Sequence, residues 1–137
     1  MLSPVLIDTG PMVSLLRSND ANHERCVRRA ESIEASLLTC WPVLTEAAYL
    51  LRYDLRHVQA LLRFVTEGHI EIAELPPKAA DWATEFFDRF SDHEPQLADA
   101  MLVYLAEQND LTDVFTLDRR DFSIYRLADG RALNILE

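Results

Sequence analysis

Short apolar runs alternate with longer stretches of helical periodicity along this chain. Val5-Leu6-Ile7 is an unbroken apolar triplet and reads as a buried strand. Past Asp8-Thr9-Gly10-Pro11, the residues Met12, Val13, Leu15 and Leu16 fall at helical spacing. Pro11 suits the first position of that helix, where its missing N–H costs nothing. Residues 22–35 read as a polar surface helix and 37–40 as a second strand. Residues 41–52 form a helix opened by Pro42, with Val43, Leu44, Ala47, Leu50 and Leu51 on an apolar stripe. Residues 55–67 form another, closed by Gly68. A third strand covers 70–73. Pro76-Pro77 starts a helix bearing Trp82, Phe86, Phe87 and Phe90. Residues 95–107 form an almost wholly apolar helix, 114–116 a fourth strand, and 133–136 are the material for a fifth.

The strands are uniformly apolar and alternate with helices. That combination predicts an α/β fold: a three-layer α/β/α domain with a mostly parallel central sheet of four to five strands. The length, 137 residues, and the absence of any linker, repeat or low-complexity tract predict a single domain over residues 1–137. A hydrophobic fraction of 49% is enough to build its core. No apolar run approaches the ~20 residues of a membrane span. The first strand starts almost at Met1, which leaves no room for a signal peptide, so a cytoplasmic protein is expected. Cys26 and Cys40 are too few for a disulfide scaffold and lack metal-ligand spacing, so both are expected as reduced thiols.

In parallel sheets the working groups gather outside the carboxyl ends of the strands. Asp8 directly follows the first strand, Glu46 lies in the first turns after the second, and Asp118 comes two residues after the fourth. Asp99 is the only charge between Gln96 and Ala106, and a lone carboxylate in so apolar a helix is costly unless it is paired or bound to a cation. Four converging carboxylates would repel one another. A hard divalent cation resolves the repulsion, and oxygen-only ligands favour Mg²⁺ or Mn²⁺, ions that bind phosphate oxygens. The chemistry implied is phosphodiester hydrolysis. Structural roles compete: Asp8 also suits a helix N-cap, Glu46 an exposed helix charge, and Asp118 the cap of a turn.

The net charge of −10 runs against nucleic-acid binding, which favours basic surfaces. Two features soften that objection. All the cationic side chains but Lys78 are arginine, the better phosphate fork, and part of the acidic excess belongs to a cation site that a metal would neutralise.

Four segments carry a resemblance. Residues 6–16, around Leu6-Ile7-Asp8-Thr9-Gly10-Pro11, are similar to the opening strand and loop of PIN-domain nucleases. Thr39-Cys40-Trp41-Pro42-Val43-Leu44-Thr45-Glu46-Ala47 resembles that family's second acidic segment, Leu97-Ala98-Asp99-Ala100-Met101 its third, and Phe115-Thr116-Leu117-Asp118-Arg119-Arg120-Asp121-Phe122 its fourth. They occur in the family's order. The resemblance implies a metal-dependent endoribonuclease leaving 5′-phosphate and 3′-hydroxyl ends. Many relatives are VapC-type toxins held inactive by a small antitoxin, and many form homodimers. It places the acidic quartet on Asp8, Glu46, Asp99 and Asp118, with Asp121 as a secondary ligand through water. Thr9, Thr45 and Thr116 become candidate hydroxyl supports. Gln96 stands where many such proteins carry a further acid. An antitoxin would be expected to insert a basic residue into the acidic site.

Arg119 and Arg120, next to the site, are candidates for substrate phosphate contact. Arg25, Arg28 and Arg29 share one helix face and read foremost as solvated charges pairing with Glu24 and Glu31. The four histidines lack metal spacing; His93 lies nearest the acidic helix. The aromatic stripe from Trp82 to Phe90 reads as core or dimer packing, the latter together with the apolar residues of the 41–51 helix. Base stacking is its minor alternative. Asp-Thr-Gly is not the loop of an aspartic protease, since the chain has neither a second such loop nor a β-rich pattern. A phosphohydrolase with an aspartyl nucleophile would want a nearby lysine, and Lys78 is far along the chain. The remaining alternative is a non-catalytic interaction module of PIN-like fold.

Overall fold

A computed structural model describes residues 2–137. In chain order the elements are β1 (Val5–Ile7), α1 (Thr9–Leu16), α2 (His23–Ser32), β2 (Leu37–Thr39), α3 (Trp41–Leu50), α4 (Leu55–Thr66), β3 (Ile70–Ile72), α5 (Ala79–Arg89), α6 (Leu97–Asn109), β4 (Asp113–Phe115), α7 (Arg119–Phe122) and β5 (Asn134–Leu136). A 3₁₀ turn, Ser91–His93, separates α5 from α6. The five strands form one sheet in the order β3-β2-β1-β4-β5, and every pairing is parallel.

That order has a functional consequence. From β1 the chain builds outward through β2 to β3, then crosses back to lay β4 on the other side of β1. The direction of winding reverses at β1, and a reversal opens a crevice at the carboxyl ends of the two strands beside it. Asp8 follows β1 and Asp118 follows β4, so the topology alone brings these two acids to the same place.

The apolar triplets became strands because both faces are covered: Val5, Leu6 and Ile7 are all buried. Helix α6 is buried without a break from Ala98 to Ala106 and packs on both α5 and α3. The aromatic stripe is core. Phe86 and Phe90 lie 4.9 Å apart by ring centroids and both meet Tyr125, while the indole N–H of Trp82 donates to Glu107 at 2.8 Å. Phe86 and Phe90 are thus core, with Trp82 and Phe87 half-buried against it.

Most boundaries shift by a few residues from the sequence expectation; two helix starts and one unexpected helix have clear physical causes. Helix α5 starts at Ala79 because Pro76 and Pro77 build the turn before it, their carbonyls accepting from the N–H groups of Ala79 and Ala80. Helix α1 starts at Thr9 rather than Pro11; a proline is tolerated anywhere among the first N–H groups, which lack partners in any helix. Helix α7, only four residues long, is too short to leave a periodic signal. Gly68 does end α4, with the positive φ of 82° that favours glycine. Among the described residues, no helix is long and apolar enough to cross a membrane.

Candidate metal centre

The carboxyl ends of β1 and β4 open into a cleft of about 460 Å³. Asp8, Glu46, Asp99, Asp118 and Asp121 all line it, together with Thr9 and Gly10. Each acid arrives by a different route. Asp8 is the last extended residue before α1 and is 7% exposed. Glu46 projects from the second turn of α3 and is half-buried. Asp99 sits in the first turn of α6, 8% exposed. Asp118 caps the N-terminus of α7, accepting the N–H of Asp121 at 3.0 Å. Carboxylate oxygens of Asp99, Asp118 and Asp121 lie within 4.8 Å of one another, close enough to share one cation.

Hydroxyl groups hold this arrangement in place. Thr116, fully buried at the end of β4, donates from Oγ1 to Asp8 Oδ2 at 2.8 Å and accepts the N–H of Asp118 at 3.0 Å. One side chain thus ties the acid after β1 to the loop after β4. Thr9 donates to the carbonyl of Val43 at 3.4 Å, joining the start of α1 to α3, and its hydroxyl also faces Glu46. Gly10 packs beside Leu117, whose side chain a Cβ there would just touch at 3.4 Å. The hydroxyl of Tyr125 donates to Asp99 Oδ2 at 2.8 Å.

Electrostatics sets the cleft apart. Burial pushes Asp8 up to about 6; hydrogen bonds from Thr116 and Thr9 oppose the shift, and the charges of Glu46 and Asp118 add to it. Burial pushes Asp99 up to about 7, opposed by the Tyr125 hydrogen bond and reinforced by Asp8, Asp118 and Asp121. Glu46 is raised by burial and then by Asp99, and Asp121 by burial and then by Asp118. Among the described residues, no arginine or lysine forms an ion pair with Asp8, Glu46, Asp99 or Asp118. Clustered acids without a protein cation, offering oxygen alone, fit a hard divalent ion.

Other sequence candidates fall outside the cleft. Thr45 is exposed and lines a neighbouring apolar groove with Trp41, Tyr49 and Leu97, because adjacent helical residues point roughly 100° apart and Glu46 takes the inward position. Arg119 donates to Glu137 from two guanidinium nitrogens, at 3.0 and 2.7 Å. Arg120 is exposed and beside Asp121, without lining the cleft. Gln96 does line it.

Two contributors were missed. Glu94 lines the cleft from the turn before α6, where its φ of 48° places it in the left-handed region. Neither periodicity nor strand position marks such a residue; only Pro95 after it signals a break in the chain. Tyr125 lies 26 residues from Asp99 in an irregular segment, and no local pattern links them.

Comparison with known proteins identifies the family. The PIN domain family model matches residues 5–129. The chain belongs to the PIN domain family. Over 134 residues it is 25% identical to Ribonuclease VapC26 of Mycobacterium tuberculosis, covering 96% of this chain and 99% of that one. Its fold is similar to that of M. tuberculosis VapC20, described as a toxin cleaving the sarcin–ricin loop, with a TM-score of 0.75 and 21% identity, over 82% of this chain and 87% of the other. It is also similar to a chain of VapBC2 from Rickettsia felis, a structure bound to a DNA fragment from their promoter, with a TM-score of 0.65 and 14% identity, over 98% of this PIN-domain chain and all of the other.

Proposed function

We propose that this PIN-domain protein is a VapC-type endoribonuclease that hydrolyses RNA phosphodiester bonds with Mg²⁺ or Mn²⁺ held by Asp8, Glu46, Asp99 and Asp118. Asp121, whose carboxylate lies beside those of Asp99 and Asp118, would serve as a secondary ligand. The observation carrying this reading is the convergence of these acids at one crevice with, among the described residues, no arginine or lysine paired to the four. A divalent ion bound there supplies an acidified water and a positive charge against the phosphate oxygens.

The protein's own groups prepare that chemistry. Thr116 fixes Asp8 and the Asp118 loop in one register, so both carboxylates stay aimed at the crevice. Tyr125 restrains Asp99. Glu46 and Asp118 are half-buried, whereas Asp8 and Asp99 are buried, so the first two form the more accessible side of the cleft. Of the two adjacent arginines, Arg120 is the better placed to meet a phosphate, because Arg119 is engaged by Glu137. An RNA substrate implies action in the cytoplasm.

Partners follow from the same surface. Trp41, Tyr49 and Leu97 are 57%, 61% and 53% exposed around the groove beside the cleft, and a second copy of the chain is the proposed cover of this face. A small antitoxin is the proposed inhibitor, placing a basic side chain among the acids. This assignment draws on the kinship with VapC proteins and on the excess negative charge of the cleft.

Purified protein should cleave RNA in Mn²⁺ and lose that cleavage on addition of a chelator. The Asp99→Asn protein should remain folded and lose the activity; undiminished cleavage by that variant would sink the assignment.

A further inference from the structure

We infer that Tyr125 is a positioning residue of the metal centre: its hydroxyl fixes which oxygen of Asp99 faces the cation. The inference rests on the metal-centre reading above and extends it to a residue outside the acidic set.

Tyr125 is fully buried, and its ring is held on three sides by Phe86, Phe90 and Phe122 at centroid distances of 5.1, 5.2 and 5.3 Å. A ring clamped in this way cannot swing, so its hydroxyl is a fixed donor. That donor meets Asp99 Oδ2 at 2.8 Å. Packing alone would be satisfied by phenylalanine; a buried hydroxyl costs free energy unless it is hydrogen-bonded, and here its partner is a member of the acidic quartet.

The consequence for Asp99 is directional. With Oδ2 accepting from Tyr125, Oδ1 is the oxygen with both lone pairs free for a ligand, and the hydrogen bond restrains rotation of the carboxylate. The backbone reinforces the link. The N–H of Tyr125 donates to the carbonyl of Asp121 at 3.3 Å, so the short α7 turn that carries Asp118 and Asp121 is tied to the same residue. Tyr125 therefore joins the α6 and α7 sides of the three-carboxylate cluster. Groups that orient metal ligands in this way typically contribute about 10–100-fold to metal affinity.

The test is calorimetric Mn²⁺ binding to the Tyr125→Phe protein, with circular dichroism and melting temperature recorded alongside. The expected result is a loss of Mn²⁺ affinity of about 10-fold or more. In the Asp99→Asn background the same substitution should have little further effect on whatever affinity remains. A lowered melting temperature with wild-type Mn²⁺ affinity would mean a purely structural hydroxyl and would overturn the inference, as would an equal loss of affinity in both backgrounds. A measurement on wild-type protein needs no variant: Mg²⁺ titration of protein with ¹³Cζ-labelled tyrosine should shift the Tyr125 signal saturably, and an unmoved signal in metal-saturated protein would contradict the proposal. Wild-type protein that binds no Mn²⁺ would remove the metal-centre reading itself, a failure distinct from wild-type binding that is indifferent to Tyr125.

Discussion

The carboxylates on the outer surface and those in the cleft are the same chemical groups in opposite circumstances. Asp54 is held at about 2 by the guanidinium of Arg56, and Asp129 is lowered by hydrogen bonds from Arg131. Asp8 and Asp99 are pushed up to about 6 and about 7 by burial among other acids. The contrast lies in where the arginines are placed. Arg56, Arg119 and Arg131 pair with surface acids, while among the described residues the four principal cleft acids have no such partner. Concentrating buried, unpaired carboxylates in one crevice is destabilising, so their retention in one place points to a cation from solution.

The largest effect should come from breaking the cleft side of this contrast. Replacing Asp8 by Asn should reduce Mn²⁺-dependent RNA cleavage by more than the ~100-fold typical of groups that only orient ligands. Metal-free Asp8→Asn protein should melt no lower than wild type, because a repelled charge has been removed. A marked drop in melting temperature would identify Asp8 as mainly a structural cap.

The next test uses pH. Asp8 and Asp99 have folded-state values above their ordinary 3.8, so between about 4 and 7 the folded protein binds more protons than the unfolded chain. Stability without metal therefore falls as pH rises through that window and levels off above it. Metal-free protein should melt several degrees higher at pH 5 than at pH 8, and millimolar Mg²⁺ or Mn²⁺ should restore the loss at pH 8. Thermal melts with chelator and with metal check both halves. A metal-free protein that is more stable at pH 8 would contradict the electrostatic picture.

Thr116→Val should reduce cleavage by about 10-fold or more, since Asp8 and the Asp118 loop lose their shared hydroxyl. Steady-state kinetics against Mn²⁺ concentration should show the loss chiefly as weaker metal activation. The smallest effect belongs to the surface side. Asp54→Asn breaks an exposed pair with Arg56 and should leave both activity and melting temperature essentially unchanged.

How far these features were legible in the sequence follows from the distances involved. The parallel α/β sheet could be read because apolar strands and periodic helices are local patterns, and Asp8 and Asp118 because strand ends fix their place. Asp99 stood out as a solitary charge in an apolar helix. Thr45 was misplaced because adjacency to Glu46 in sequence is divergence on a helix. Glu94 and Tyr125 were invisible for a different reason: each reaches the site from an irregular segment, through contacts that only the folded chain creates. Helix α7 was hidden by brevity, and its cap by Asp118 emerges only with coordinates.

Among the described residues no arginine or lysine pairs with Asp8, Glu46, Asp99 or Asp118, and the cleft they line should therefore bind a divalent ion. Calorimetric titration of metal-free protein with Mn²⁺ near pH 7.5 tests it most directly. The wild-type chain should bind saturably, and the Asp99→Asn protein at least tenfold more weakly; no saturable binding, or an affinity indifferent to Asp99, would refute a metal site in the cleft.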